Sequence, residues 1–232
     1  PGAGVLLSDI AAAAQPAAGE VAVRIHAAGI CGSDLHAWAW DSGYDFMAPF
    51  LPLTLGHEFS GTVTATGTDV YGIAVGDAVV CWPTVTCGEC PACRKGRRAE
   101  CTQRRVIGLH RDGGFAERVT MPAANALPLP AGLAMDVAAL AEPLAVSVNA
   151  VNVAGVGAGD RVLVLGPGPI GMGIALVAQA RGAQVLLAGF DDDARLALAQ
   201  RLGIAGCADL ARTDLDSAIA AHFGAAPDIV LE

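Results

Sequence analysis

The sequence is poor in charged residues, and positive charge is scarcer than negative charge. Charged side chains make up 16% of the 232 residues, against about 25% in typical soluble domains. The 14 Lys and Arg residues are outnumbered by 23 Asp and Glu residues, which gives a net charge of -9. Nucleic acid and anionic membranes bind clustered basic surfaces, so we expect neither of them as a partner. A hydrophobic content of 53% also excludes a disordered chain.

The chain carries no pattern typical of a membrane span or of secretion. Its longest uncharged run, 162–180, is long enough to cross a bilayer, but the glycines and prolines of 166–169 divide it. A strand, a turn and the start of a helix explain this run better than one spanning helix. The first residues also lack the basic segment that opens a secretory signal. We therefore expect a cytoplasmic protein.

The two ends of the sequence do not resemble natural termini. Residue 1 is a proline rather than an initiator methionine. The last residues, 228–231, form an apolar strand pattern with no turn or cap after it. We expect this sequence to be a fragment of a longer protein.

Two patterns of secondary structure follow one another along the chain. In 20–130, short runs of alternating apolar residues are bounded by glycine or proline, which predicts a mainly antiparallel β domain. A helical stretch then begins at residue 135 and is interrupted at Glu142-Pro143, and alternating strands and helices follow it. Such alternation predicts a parallel sheet with crossover helices. We therefore predict a mixed fold class with two domains, 1–134 and 135–232.

A glycine-rich turn joins an apolar strand of the second domain to an amphipathic helix. Gly166, Gly168 and Gly171 form a GxGxxG pattern, and Pro169 and Ile170 complete it. Glycine permits a tight turn, close approach of the backbone to a pyrophosphate, and close packing of helix on strand. The unpaired N–H groups at the start of the helix would bind the pyrophosphate. The turn predicts a dinucleotide site, and the alternative is a glycine turn that binds nothing.

An acidic residue that binds the adenine ribose is expected about 20 residues beyond such a turn. Asp191 lies near that distance and is followed by two more aspartates. Three carboxylates repel a 2′-phosphate, and no arginine follows at once, so we expect NAD as cofactor, with NADP as the alternative. Capping of the next helix is the other role that we consider for these aspartates.

Four of the seven cysteines lie close together in the first domain: Cys87, Cys90, Cys93 and Cys101. Closely spaced thiolates on a turn-rich segment supply the four soft donors of a tetrahedral zinc site. Because four protein ligands leave no open coordination position, we predict a structural rather than a catalytic zinc. Disulfides, free cysteines and a zinc ribbon that binds nucleic acid are the alternatives.

A second set of metal-ligating residues is spread more widely along the chain. Cys31, His57, Glu58 and Glu142 offer one thiolate, one imidazole and two carboxylates. Such a mixed set suits a zinc site that keeps room for a substrate oxygen. Each residue also has a simpler interpretation, since Cys31 and His57 would fit a core and Glu142 would fit the first turn of a helix.

The motifs occur together, in one order, over nearly all of the chain. They are Gly29-Ile30-Cys31-Gly32-Ser33-Asp34-Leu35-His36, Gly56-His57-Glu58, the four-cysteine segment, Glu142-Pro143-Leu144 and the glycine turn. In this combination the sequence resembles the zinc-dependent medium-chain dehydrogenase/reductase family, which includes alcohol, sorbitol and threonine dehydrogenases. The resemblance implies a GroES-like β domain followed by a partial Rossmann domain, with an active site in the cleft between them.

The resemblance also implies two zinc ions per chain. Cys31, His57 and Glu58 match ligands of a catalytic zinc, and the four clustered cysteines match ligands of a structural zinc. Glu142 stands where the alcohol branch has a further cysteine. It would bind the catalytic zinc directly, through water, or in alternation with Glu58.

The implied reaction transfers a hydride from a secondary alcohol, polyol or sugar-type hydroxyl to NAD(P)+. Ser33 matches the hydroxyl that relays the substrate proton, and His36 matches the next member of that relay. Asp34 matches the acid that orients the ligating histidine. The family implies a homodimer or homotetramer for the full-length protein. The alternative is a non-catalytic zinc- and dinucleotide-binding protein of the same fold.

Two further features of the sequence concern the binding of cofactor and substrate. Where the family normally closes its second Rossmann strand with the cofactor aspartate, this sequence has Gly189-Phe190. Aromatic residues concentrate between the two ligand motifs and suit either the floor of a polyol pocket or the core: Trp38, Trp40, Tyr44 and Phe46.

Overall fold

The computed structural model describes residues 4–9 and 15–232. The chain divides into two units, Pro1–Glu142 and Pro143–Glu232. The change of sequence pattern lies earlier, at residue 134, and the difference has a structural cause. The short helix Met135–Ala138 packs against two strands of the first unit and so belongs with it. Among the described residues, no helix combines the length and the apolar character that crossing a membrane requires.

The first unit is built on an antiparallel sheet. Its described strands are β1 (Glu20–Gly29), β2 (Glu58–Thr66), β3 (Ala78–Cys81), β4 (Thr84–Val85), β5 (Arg105–Val106), β6 (Arg118–Pro122) and β7 (Ala126–Pro128). The main sheet has the order β6-β1-β2-β3-β7, and β4 pairs with β5 in a separate ribbon. Its described α-helices are α1 (Gly32–Ala39), α2 (Pro91–Arg94) and α3 (Met135–Ala138), and 3₁₀ turns cover Asp45–Phe50, Arg98–Glu100 and Ala123–Asn125.

Strand β1 shows why this sheet forms. Its apolar residues Val21 and Val23 are fully buried, and they pack with Phe59 and Val63 of β2 and Val119 of β6 in one core. Ala22, between Val21 and Val23, is also buried, and from Val23 onward buried or half-buried side chains alternate with exposed ones, as in a strand with one face in the core. Near their ends, β1 and β2 pair in a register that sets Gly29 opposite Glu58. This register brings the segment after β1 beside the start of β2.

The second unit is an α/β structure. Its described elements are α4 (Ala141–Val153, which begins in the first unit), β8 (Arg161–Leu165), α5 (Pro169–Ala180), β9 (Gln184–Gly189), α6 (Asp193–Arg201), β10 (Cys207–Asp209), α7 (Leu215–Phe223) and β11 (Ile229–Leu231). The strands are parallel and have the order β10-β9-β8-β11. Val162 and Val164 of β8 pack in one core with α4, α5 and α6, whereas Leu163 packs in a second core with α7. A strand that is apolar on both faces is typical of a parallel sheet covered by helices.

The structure confirms the predicted fold class, an antiparallel β domain followed by a partial parallel α/β domain. The predicted break at Glu142-Pro143 is displaced, because α3 ends at Ala138 and α4 begins at Ala141. Pro143 therefore lies inside α4, in its first turn. Backbone N–H groups have no intrahelical partner there, so a residue without an N–H costs little.

Candidate metal centres and dinucleotide site

Three of the predicted ligands converge in the first unit. Ligand atoms of Cys31, His57 and Glu58 all lie within 4.8 Å of one another. Cys31 follows β1 and is the N-cap of α1, while His57 and Glu58 stand at the start of β2. The pairing of Gly29 with Glu58 therefore brings a thiol next to an imidazole and a carboxylate that lie far away in the sequence.

Two glycines make room for these ligands. A Cβ atom at Gly29 would lie 2.3 Å from Oε2 of Glu58, so the missing side chain leaves space for that carboxylate. Gly56, next to His57, has φ +96°, and a Cβ there would lie 2.5 Å from the ring of Phe115. Glycine is thus needed at both positions, for space at the first and for backbone conformation as well at the second.

The electrostatics of this group favour metal binding. A hydrogen bond with His57 lowers the pKa of Cys31, which favours the thiolate. Burial lowers the pKa of His57, but Cys31, Asp34 and Glu142 outweigh it and raise this pKa above its ordinary value. Burial raises the pKa of Glu58. A thiolate, an imidazole and a buried carboxylate form a donor set that zinc prefers, and a cation there would stabilise their charges.

Glu142 lies near this group but outside it. The converging ligand atoms of the described residues do not include a Glu142 oxygen. Burial raises the pKa of Glu142, His57 lowers it, and the charge of Glu58 raises it further. Glu142 therefore interacts electrostatically with His57 and Glu58, although its carboxylate does not join the three converging ligand atoms.

Asp34 contacts two of the three ligands. Its Oδ2 accepts a hydrogen bond of 2.9 Å from the backbone N–H of Cys31. Its Oδ1 lies 3.7 Å from Nδ1 of His57, and both of these buried atoms lack a hydrogen-bond partner among the described residues. The other ring nitrogen, Nε2, lies 3.5 Å from Oγ of Ser33. The carboxylate thus faces Nδ1 and leaves Nε2 as the nitrogen available to a metal.

The two residues of the predicted proton relay have different surroundings. Ser33 Oγ lies beside the imidazole of His57. His36 is largely exposed, and its Nδ1 lies 2.6 Å from Oδ2 of Asp41. Its ring packs against Tyr44 at 5.7 Å between centroids. Among the described residues, no hydrogen bond joins Ser33 to His36 directly.

The four clustered cysteines also converge. The sulfur atoms of Cys87, Cys90, Cys93 and Cys101 lie within 4.8 Å of one another. The Cys87–Cys101 and Cys87–Cys93 sulfur distances are 3.6 and 4.0 Å. Those distances are too long for a disulfide and close to the ~3.8 Å expected between sulfurs of a tetrahedral zinc site with bonds of about 2.3 Å.

Backbone groups of the same segment stabilise thiolates. Cys90 N–H donates to Sγ of Cys87, and Cys93 N–H donates to Sγ of Cys90. Backbone N–H groups, that of Cys93 first, lower the pKa of Cys90 to about 6. Backbone N–H groups, that of Cys87 first, also lower the pKa of Cys101, whereas burial and then Cys90 raise the pKa of Cys93 to about 12. The segment thus favours the ionised form that zinc binds at Cys90 and Cys101.

The glycine turn has the geometry of an anion-binding helix start. Gly166 has φ +93°, and a Cβ atom at Gly171 would lie 1.9 Å from the carbonyl oxygen of Gly166. Gly168 is the N-cap of α5, Pro169 is its first residue, and a Cβ at Gly168 would meet nothing within 4 Å. The first N–H groups of the helix, including that of Ile170, thus face a space that a phosphate can approach closely.

Asp191 follows β9 in a left-handed conformation, with φ 54°. Gly189 precedes it, and a Cβ atom there would lie 2.7 Å from the ring of Pro167 in the glycine turn. The close packing of the turn on the end of β9 therefore excludes an aspartate at residue 189. It moves the first available carboxylate to Asp191, which is exposed.

Both the sequence and the fold of this chain are similar to those of known proteins. The alcohol dehydrogenase GroES-like domain matches residues 17–131. L-Galactonate-5-dehydrogenase of Escherichia coli (strain K12) is 40% identical over 90% of this chain and 60% of its own length. L-Threonine 3-dehydrogenase of Deinococcus radiodurans is 36% identical over 93% of this chain and 61% of its own length. The crystal structure of galactitol-1-phosphate dehydrogenase from Escherichia coli has a TM-score of 0.82 and 31% identity, over 95% of this chain and 63% of that one.

The chain belongs to the zinc-dependent medium-chain dehydrogenase/reductase family. It spans about three fifths of the length of these relatives, as the 60% and 61% coverage shows. The resemblance of the motifs to this family is therefore confirmed, together with its GroES-like and partial Rossmann folds.

Two residues that the sequence analysis did not predict, Ser147 and Asp209, stabilise the glycine turn and the turn after β9. Ser147 of α4 is fully buried, and its Oγ bonds the carbonyl oxygen of Ile170 in the first turn of α5. A Cβ atom at Gly173 would lie 2.4 Å from this Oγ, so glycine permits the contact. Asp209, at the end of β10, accepts a hydrogen bond from the N–H of Asp191. For Ser147, the only signal in the sequence is a small polar residue in a helix that a later glycine can approach. For Asp209, it is an acidic residue at the end of a predicted strand.

Proposed function

We propose that this protein is a zinc-dependent oxidoreductase that transfers a hydride from a secondary alcohol, polyol or sugar-type hydroxyl to NAD(P)+. The observation that carries the proposal is the convergence of Cys31, His57 and Glu58 within 4.8 Å. Zinc held there supplies a Lewis acid that polarises a hydroxyl oxygen and lowers its pKa. The relatives support the same chemistry, since each of the three is named a dehydrogenase.

The protein's own residues hold and orient the metal. Cys31, His57 and Glu58 bind it, and Glu142, whose charge acts on the same group, binds it directly, through water or in alternation with Glu58. Asp34 keeps the imidazole in the tautomer that presents Nε2. Because Asp34 also bonds the backbone of Cys31, it fixes two of the ligands relative to each other.

We propose Ser33 and His36 as the proton path. The hydroxyl of Ser33 lies beside the ligand imidazole, where a substrate hydroxyl would meet it. His36 has an exposed ring and a carboxylate partner in Asp41, which suits transfer of a proton to solvent. In this path a water molecule or a hydroxyl of the substrate joins the two residues, since no hydrogen bond joins them directly in the described part of the chain.

The second unit binds the dinucleotide in this proposal. The backbone N–H groups of Gly168, Ile170 and Gly171 bind the pyrophosphate of NAD, whose nicotinamide ring supplies the chemistry of hydride acceptance. Asp191 binds the adenine ribose, and NADP is the alternative cofactor. The four-cysteine segment holds a second, structural zinc.

The substrate class is a polyol or a related hydroxy compound. Trp38 and Phe46 expose 52% and 42% of their surface, so they are available to a ligand rather than buried in the core. Burial is the main cause that raises the pKa of Tyr44, and the charges of Cys31 and Asp34 raise it further. Tyr44 therefore lies near the metal-binding group. Aromatic rings bind the apolar faces of polyols. The names of two relatives indicate polyhydroxylated substrates, L-galactonate and galactitol 1-phosphate.

The test measures zinc content and the formation of reduced nicotinamide with a panel of polyols and secondary alcohols. The wild-type protein should hold two zinc ions per chain and reduce NAD+. His57→Ala should lose one zinc and all turnover. His26→Ala is the matched control, because His26 is another histidine of the same sheet whose ring bonds Thr62 instead. Full turnover by His57→Ala, or equal zinc loss in both variants, would overturn the proposal.

A further inference from the structure

The turn after β9 is held by a residue of the neighbouring strand. Asp209 is the last residue of β10 and pairs with Gly189 at the end of β9. Its Oδ1 accepts hydrogen bonds from the N–H groups of Asp191, at 2.9 Å, and of Ala211, at 3.0 Å. The Asp209 side chain is only 10% exposed, and these two backbone bonds lower its pKa, that of Ala211 more strongly. A nearly buried carboxylate thus ties the two strand ends together.

Asp191 depends on this bond. Its φ of 54° is left-handed, a conformation that residues other than glycine adopt at a cost. The hydrogen bond from its N–H to Asp209 offsets that cost and selects this conformation. The carboxylate of Asp191 is exposed and has no partner among the described residues, so it remains available to a ligand.

Arg195 of α6 and Arg212, which follows β10, both have carboxylate partners. Arg195 lies 3.0 Å from Oδ1 of Asp192. Arg212 pairs with Asp193, and its Nε lies 3.4 Å from Oδ2 of Asp209. A 2′-phosphate needs an unpaired guanidinium group, whereas a ribose hydroxyl needs a free carboxylate. The turn offers the free carboxylate of Asp191, whereas Arg195 and Arg212 are engaged in ion pairs.

We infer that Asp209 is a positioning residue that sets the nucleotide preference of this protein toward NAD. It does so by fixing the backbone of Asp191, whose exposed carboxylate then receives the 2′-hydroxyl of the ribose. The inference rests on the proposed function, because it requires that the ribose lies at Asp191. It assigns the preference to the side chain of the next strand rather than to the acidic turn alone.

Two variants separate positioning from a purely structural role. Asp209→Ala removes the acceptor of the Asp191 N–H, and Asp209→Asn keeps an oxygen in its place. The dissociation constants of NADH and NADPH are measured by calorimetry on the protein without substrate. We expect Asp209→Ala to weaken NADH binding about tenfold, or about 1.4 kcal/mol, while NADPH binding changes less than twofold. Asp209→Asn should bind NADH within about twofold of the wild type.

Asp214→Ala is the matched control. Asp214 caps α7, and like Asp209 it accepts a backbone N–H, that of Ser217, at 2.9 Å. Within the described residues, no hydrogen bond joins Asp214 to Asp191. This variant should lower thermal stability and leave the ratio of the two dissociation constants unchanged. If Asp209→Ala does not fold, Asp209→Val, whose apolar side chain has no acceptor, takes its place with the same expectation.

The outcomes distinguish the two proposals. A wild-type protein that binds neither nucleotide would overturn the proposed function. Tight NADH binding by the wild type, with equal losses of NADH and NADPH in Asp209→Ala, would overturn the positioning role alone. So would an Asp209→Asn variant as impaired as Asp209→Ala, since the acceptor oxygen would then not matter.

Discussion

Oδ1 of Asp34 lies 3.7 Å from Nδ1 of His57, and neither atom has another partner among the described residues. Two buried polar atoms that face each other at more than hydrogen-bond distance are costly unless a small movement joins them. A metal ion on Nε2 would make the Nδ1 proton more acidic and so strengthen that bond. The positions of Asp34 and His57 therefore suit a metal-bound form of the protein, in which Nε2 of His57 is a ligand.

The first prediction concerns this pair. Asp34→Asn keeps the size of the side chain but removes the charge that holds the Nδ1–H tautomer of His57. We expect zinc affinity at the Cys31 site to fall about 10- to 100-fold. Zinc titration with a competing chelator measures it.

Asp41→Asn provides the control for Asp34→Asn. It makes the same substitution at an exposed aspartate that bonds His36, and its zinc affinity should equal that of the wild type. Unchanged zinc affinity in Asp34→Asn would show that Asp34 does not orient the histidine.

The second prediction concerns Ser33. Ser33→Ala should reduce kcat for alcohol oxidation by about 10²- to 10⁴-fold, because a positioned proton acceptor contributes that much. The dissociation constant of NADH should stay within about twofold. Steady-state kinetics and a binding titration measure the two quantities.

Ser33→Thr keeps a hydroxyl at the same position and should recover a large part of the lost kcat. If Ser33→Ala weakens NADH binding as much as it slows oxidation, or if threonine restores nothing, Ser33 is not part of the proton path.

The third prediction concerns the four-cysteine segment. Cys90→Ala removes one of four sulfur ligands, so the protein should contain one zinc fewer, and residues 87–101 should be cleaved faster by protease. Structural zinc sites contribute directly to the folding of their segment. Zinc analysis and limited proteolysis check both effects.

Cys207→Ala is the corresponding control, because Cys207 is a half-buried cysteine of β10 that bonds the carbonyl oxygen of Ile204. Its zinc content should not change. An unaltered zinc content in Cys90→Ala would exclude the segment as a four-sulfur site.

The fourth prediction concerns pH and the pairing of β8 with β11. Hydrogen bonds from the side chain of Arg161, and then from its backbone, lower the pKa of Asp228 to about 2. A carboxyl group with a depressed folded-state pKa stabilises the fold above its unfolded pKa of about 3.9 and loses this effect as pH falls toward 2. Asp228→Asn should therefore melt at a lower temperature than the wild type at pH 7.

The same difference in melting temperature should shrink as pH falls from about 4 to about 2, and added salt should reduce it because the pair is partly exposed. Thermal melts at several pH values measure it. A difference that is the same at pH 7 and at pH 2 would mean that the charge of Asp228 plays no part.

Much of the site could be predicted from residue types and spacing. Cys87, Cys90, Cys93 and Cys101 lie within one short segment, so their convergence needs only a local fold. The glycine turn is equally local, since its strand, turn and helix follow one another in the chain. The roles of Ser147 and Asp209 could not be predicted, because each acts on a residue of another element through a contact that no local pattern records.

The sequence by itself determined the identity of the donors, the glycines that leave room for them, and the two types of sheet, since these follow from side-chain chemistry and apolar period. The tertiary structure alone decided which donors meet. The register of β1 on β2 brings Cys31 to His57 and Glu58, and Glu142 does not share their position. In the second unit, Asp209 of β10 supplies the hydrogen-bond acceptor for the N–H of Asp191. Pairing of distant strands depends on the whole core, because a shift of one residue would turn each side chain to the opposite face.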